Sequence, residues 1–141
     1  MGNWSLPWHQ DRTIAVVERR EVEGFGPWTV KAGIVHVEPP ADLQARMLTL
    51  RVHLDPVSPD NAPLLIAPGS HRLGRLSQER IPAIVEPCRI VTCCADAGDV
   101  WAYATPILHA SAMARQPNHR RVLQVDYATA DLPGGLRWLG V

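Results

Sequence analysis

Met47-Leu48-Thr49-Leu50-Arg51-Val52-His53-Leu54 decides the fold class. Apolar and polar residues alternate strictly from Leu48 to Leu54. Only an extended chain gathers residues of period two on one side. Leu48, Leu50, Val52 and Leu54 therefore share a strand face. Arg120 to Tyr127 repeats the pattern, with Val122, Gln124 and Asp126 opposite Leu123, Val125 and Tyr127. Working outward, Thr13–Arg20, Trp28–Val37, Leu64–Ile66, Pro87–Ala95, Asp99–Thr105 and Ile107–Met113 also read as extended. Helix is confined to Asp42–Met47, whose Asp42 follows two prolines at a plausible start, and to Leu73–Arg80. Glu23–Pro27, Pro56–Asn61 and Pro68–His71 are turn clusters.

Seven or eight short strands with little helix predict an all-β sandwich or barrel. The 13 prolines and 10 glycines fall between the apolar segments and disfavour a helical bundle. No Asn-Gly or Asp-Gly hairpin signal is present, and the connections are long, so a jelly roll is expected. The 141 residues suggest one domain over 1–141. Fourteen Lys and Arg balance fourteen Asp and Glu, which argues against nucleic acid or an anionic membrane as the partner. No apolar run approaches the roughly 20 residues of a membrane span, and no signal peptide is visible. Cys88, Cys93 and Cys94 cannot all pair within the chain. They read as reduced thiols of a cytoplasmic protein.

His9-Gln10-Asp11 is the first feature with chemistry. In an extended segment His9 and Asp11 point the same way and Gln10 points away. A second histidine would complete a two-histidine, one-carboxylate facial triad, the usual non-haem Fe(II) site. The pattern alone is cheap, since His53-Leu54-Asp55 repeats it. The candidate second histidine is His109. Eleven residues later stand Arg120 and Arg121. If these segments are neighbouring antiparallel strands joined near Gln116-Pro117-Asn118, His109 and Arg120 face one interior. Arg120 is then placed to bind a carboxylate in bidentate fashion. Arg121 alternates outward.

Trp8-His9-Gln10-Asp11, Asn61-Ala62-Pro63-Leu64, Ala67-Pro68-Gly69-Ser70-His71, Gly98-Asp99 and His109-Ala110-Ser111 with Arg120 occur in the order seen in the phytanoyl-CoA dioxygenase family, which the chain resembles from about Trp4 to Tyr127. The resemblance implies a double-stranded β-helix, a cupin-like jelly roll. It implies an Fe(II)- and 2-oxoglutarate-dependent dioxygenase that consumes O2, hydroxylates a small organic substrate and releases succinate and CO2. Carried over position by position, His9, Asp11 and His109 match the metal ligands. Arg120 matches the partner of the distal carboxylate of 2-oxoglutarate, and Ser111 stands beside it. No catalytic residue is implied beyond the metal ligands. Two departures are visible: Ala62 stands where the family more often has glycine, and His9 lies close to the N-terminus. The barrel is therefore expected to be incomplete at its N-terminal side. An open sheet edge of that kind favours a homo-oligomer.

Rival readings remain open. One is a truncated, inactive relative that binds metal or an acid without turnover. Another is a cupin of different chemistry. The remaining candidates read more simply as structure. His36 and His53 read as strand residues, His71 as a loop organiser and His119 as solvent-facing. Lys31 and Arg51 read as a solvated strand face. The cysteine spacing does not match a zinc site. Trp8 and Trp101 are candidates to line a pocket near the ligands.

Overall fold

The computed structural model describes residues 3–140. Ten strands follow one another: β1 (Leu6–His9), β2 (Ile14–Val16), β3 (Trp28–Lys31), β4 (Ile34–Val37), β5 (Leu48–His53), β6 (Leu64–Ile66), β7 (Val91–Cys93), β8 (Val100–Ala104), β9 (His109–Ser111) and β10 (Val122–Tyr127). Helix is limited to α1 (Ala41–Gln44), α2 (Ile81–Val85) and single 3-10 turns. The strands form three antiparallel sheets, ordered β1-β9-β6-β7, β10-β5-β8 and β2-β4-β3. Strands near the two ends of the chain are neighbours in the first sheet. This is the crossed connectivity of a jelly roll, an all-β double-stranded β-helix.

Three expectations are corrected. Trp28–Val37 is two strands rather than one. They form a hairpin that pairs Lys31 with Ile34, and its two-residue turn is Ala32-Gly33. Both turn residues have positive φ, 49° and 80°. Hairpin turns of this hand normally recruit Asn, Asp or Gly. Ala32 lacks that signature, so the turn is hidden in the sequence. The helical segment expected over Leu73–Arg80 lies later, in a 3-10 turn at Gln78–Arg80 that runs into α2. Pro82 sits in the first turn of α2, where its missing N–H costs no hydrogen bond. Finally, β9 and β10 are not neighbours. Strand β9 pairs with β1 and β6, whereas β10 pairs with β5.

The core is split by the sheets. Ile14, Val16, Phe25, Val37, Met47, Leu132 and Leu136 bury the small β2-β4-β3 sheet against the C-terminal segment. Leu64, Ile66, Cys93, Tyr103 and Ile107 fill a second cluster. Ala67, Leu76, Ile81 and Leu108 make a third, with Trp8 packed against it.

The β10-β5-β8 sheet has an unusual polarity. On β5 and β10 apolar residues face outward: Leu48, Leu123 and Tyr127 are each more than two-fifths exposed, while the β8 aromatics Trp101 and Tyr103 face inward. Its polar residues Thr49 and His53 are buried on the other side, with Arg51 between them. No helix among the described residues is long and apolar enough to cross a membrane.

The Ala32 conformation yields the first prediction. A left-handed alanine costs on the order of 1 kcal/mol, so Ala32→Asn should raise stability by about 0.5–1 kcal/mol in denaturant unfolding. A destabilised variant would show that the turn does not hold this conformation in solution.

Candidate metal centre

Strand pairing builds the site. His9 ends β1 and stands directly opposite His109 at the start of β9. Their rings lie 4.2 Å apart, centroid to centroid. Asp11 follows two residues after His9, and its Oδ2 lies 3.8 Å from His109 Nε2. One ligand atom from each of His9, Asp11 and His109 falls within 4.8 Å of the others. Ligands held about 2.1 Å from one ion at right angles sit roughly 3 Å apart. Small side-chain rotations therefore close the set around a metal.

The donor chemistry fits a divalent transition ion with open positions. Both imidazoles are oriented from behind. His9 Nδ1 bonds the Pro7 carbonyl at 2.8 Å, and His109 Nδ1 bonds the Ile107 carbonyl at 2.9 Å. Each bond directs Nε2 toward the shared centre and makes it the lone-pair nitrogen. His36 makes the same bond to Ile34, so the motif alone does not mark a ligand. Burial pushes the pKa of His109 down, against the pull of the Asp11 carboxylate, and so favours the neutral imidazole that ligation requires.

Three polar residues hold this geometry. Gln10 points away from the ligands and is buried. Its amide donates to the carbonyls of Gly74 at 3.0 Å and Pro106 at 2.7 Å, and its Oε1 accepts from Leu76 N at 2.9 Å. Gln44, at the end of α1, donates to the Asp11 carbonyl. Ser70, in the Pro-Gly-Ser-His turn, donates to Ala67 O at 2.7 Å and accepts from Leu108 N at 2.9 Å, one residue before His109. Thus Ser70 organises that loop, the role expected of His71.

A cleft of about 470 Å³ opens over the triad and is lined from two sheets. His9, Asp11, His109, Ser111 and Leu64 line one side, and Arg51, Gln124 and Arg120 the other. Arg120 and His109 therefore meet across the cleft rather than along adjacent strands. Arg120 lies two residues before β10, and its guanidinium donates to the Ala62 carbonyl. Asn61 secures the same loop by accepting from Asn118 N at 3.0 Å and donating to His119 O at 3.4 Å. Arg121 turns out to solvent, where its guanidinium pairs with Asp55 at 2.7 Å. His53 and Asp55, the second His-x-Asp, are thereby sent to different places. His53 is buried in the β5 interior, while Asp55 is tied to Arg121.

Arg51 lines the cleft, against the expectation of a solvated strand face. Trp8 and Trp101 pack into core clusters, and Trp4 is the tryptophan that lines the cleft. Lys31 is exposed and bonds Thr13, and His119 is exposed.

Residues 1–122 match the family model described as Phytanoyl-CoA dioxygenase (PhyH). No curated protein matches the chain. Several solved structures are similar. EctD from S. alaskensis superposes with a TM-score of 0.54 at 26% identity, over 64% of this chain and 32% of that one. AviO1 from Streptomyces viridochromogenes Tue57 gives a TM-score of 0.60 at 22% identity, over 93% of this chain and 46% of that one. HygX from Streptomyces hygroscopicus, in a structure with nickel and 2-oxoglutarate bound, gives 0.52 at 15% identity, over 89% of this chain and 51% of that one. EctD has also been solved with bound Fe. The chain thus spans about a third to a half of the length of these structures.

The geometry predicts which substitutions remove metal binding. His109→Ala and Asp11→Ala should each weaken Fe(II) or Ni(II) binding by at least about a hundredfold in calorimetry. His53→Ala should leave it unchanged, and equal loss in all three would refute the assignment. Gln10→Ala should cost about 1–3 kcal/mol of stability, because it strands the buried Pro106 carbonyl and Leu76 amide. It should also weaken metal binding, with no ligand removed.

Proposed function

This chain belongs to the phytanoyl-CoA dioxygenase family, and from that premise we propose that it is an Fe(II)- and 2-oxoglutarate-dependent dioxygenase acting on a small organic molecule. In the overall reaction, 2-oxoglutarate, O2 and a substrate C–H give succinate, CO2 and a C–OH. One oxygen atom enters succinate and the other enters the alcohol. His9, Asp11 and His109 would hold Fe(II), which when bound supplies the oxidative chemistry.

The other side chains do the remaining work. Arg120 receives the distal carboxylate of 2-oxoglutarate as a charge-assisted pair. The Ser111 hydroxyl, two residues beyond His109 on the same strand face, donates a hydrogen bond to that carboxylate. Ala62 O and Asn61 keep Arg120 turned inward, and Asp55 keeps Arg121 turned out. Leu64 and Leu6 give the cleft an apolar margin.

The observation that carries this reading is the convergence of His9, Asp11 and His109 in a cleft that also holds an arginine without an acidic partner. A second reading, metal and keto-acid binding without turnover, draws on the openness of the cleft at Arg120, which is itself exposed.

Purified protein with Fe(II), ascorbate and 2-oxoglutarate should form succinate slowly without substrate. Arg120→Ala should raise the Kd for 2-oxoglutarate by about tenfold or more, with metal affinity unchanged. Keto-acid binding without succinate would select the second reading. Absence of metal-dependent keto-acid binding would remove both.

A further inference from the structure

The cleft contains a second guanidinium that the proposed reaction does not use. Arg51 lies on the interior face of β5, between the buried Thr49 and His53. It lines the same cleft as His9, Asp11 and His109. Its Nη1 donates to Gln124 Oε1 at 3.0 Å, a neutral acceptor directly opposite on β10. Its Nε is buried without a well-formed hydrogen bond, and the buried Tyr103 hydroxyl lies beside the guanidinium. Seven other arginines, at positions 12, 19, 20, 46, 75, 115 and 121, are paired with carboxylates. Among the described residues Arg51 makes no such pair. Asp126, the nearest acid along β10, is taken by Thr49 Oγ1 at 2.6 Å. Burial raises its pKa.

A half-buried guanidinium with unused donors is a costly thing to hold in a cleft unless a ligand completes it. Burial, and after it repulsion by Arg51, pulls the pKa of Arg120 down. Arg120 stands four residues before Gln124, the register partner of Arg51. The two arginines therefore reach the cleft from separate positions along the sheet.

We propose that Arg51 is a second anion anchor, with Gln124 and Tyr103 beside it, and that the substrate of this site carries its own carboxylate. The inference rests on the dioxygenase reading and adds the substrate class. Arg51 holds the carboxylate end by a charge-assisted pair, and the apolar margin of the cleft takes the rest of the molecule.

The test compares 3-phenylpropanoate with 3-phenylpropanamide, an anion and a neutral molecule of nearly the same shape. Binding is measured by calorimetry on the full chain loaded with Fe(II) without oxygen, with and without 2-oxoglutarate. The acid should bind the wild-type protein at least about tenfold more tightly than the amide. In Arg51→Gln that preference should fall below about threefold, while the Kd for 2-oxoglutarate shifts by less than about threefold. Arg51→Lys, which keeps the charge, should retain part of the preference and serves if the glutamine variant does not fold. Equal binding of acid and amide to the wild-type protein overturns the proposal. A tenfold loss of 2-oxoglutarate affinity in Arg51→Gln also overturns it, because Arg51 would then belong to the keto-acid clamp. Failure of the wild-type protein to bind 2-oxoglutarate strikes the dioxygenase reading instead. The acid-over-amide comparison on metal-loaded protein still decides whether Arg51 is an anion site.

Discussion

The antiparallel pairing of β1 with β9 is the constraint from which the site follows. It places His9 directly opposite His109, although a hundred residues of chain lie between them. Two strands in register supply what a metal site needs most: two imidazoles held side by side on rigid backbone. Asp11 then needs only the two-residue period of an extended segment to reach the same side. The pairing is short, so side-chain hydrogen bonds reinforce it. Gln10 ties the segment between the ligands to the backbone at residues 74, 76 and 106, and Ser70 ties the residue before His109 to Ala67. These bonds run through buried ground, where an unmade partner is expensive, and so they resist slippage of one strand past the other.

The second sheet shows how a binding cleft inverts ordinary patterning. In most antiparallel sheets the apolar face is inside. In β5 and β10 the inside face carries Thr49, Arg51, His53, Gln124 and Asp126, while leucines and a tyrosine face out. Cross-strand partners satisfy much of this polar lining: Arg51 with Gln124, and Thr49 with both Thr105 and Asp126. The lining is thereby organised before any ligand arrives, which lowers the ordering cost of binding. The cost appears on the other side, where Leu48, Leu123 and Tyr127 form an apolar surface open to solvent.

Strand content was legible in the sequence because alternation is a local signal, and Leu48–Leu54 and Leu123–Tyr127 carry it without interruption. Which face of those strands is interior was not legible. Period-two patterning separates two faces, but only the partner sheet decides which one is enclosed. Arg51 was read as solvated for this reason. The Ala32-Gly33 turn was hidden because its first residue lacks the side chain that usually announces a left-handed conformation. The ligand candidates His9, Asp11 and His109 could be named from type and order, yet their meeting depends on a long-range pairing that no local pattern encodes. The expected route from His109 to Arg120, along adjacent strands, was wrong in topology. The two residues still face one cleft because the chain crosses from one sheet to the other between β9 and β10.

Ala62 shows how a small sequence departure and a contact within the cleft meet. Its φ of 48° lies in the left-handed region, which explains why glycine is the more natural occupant. The same conformation presents the Ala62 carbonyl to the Arg120 guanidinium. Asn61, beside it, holds the backbone of Asn118 and His119. One short turn therefore fixes both the chain that delivers Arg120 and the direction in which its side chain points. The methyl group of Ala62 makes that turn costlier to form than glycine would, by on the order of 1 kcal/mol. It also narrows the conformations open to the unfolded loop, which recovers part of the cost. Strain at this point is consistent with a loop whose shape is dictated by what it must hold rather than by its own preference.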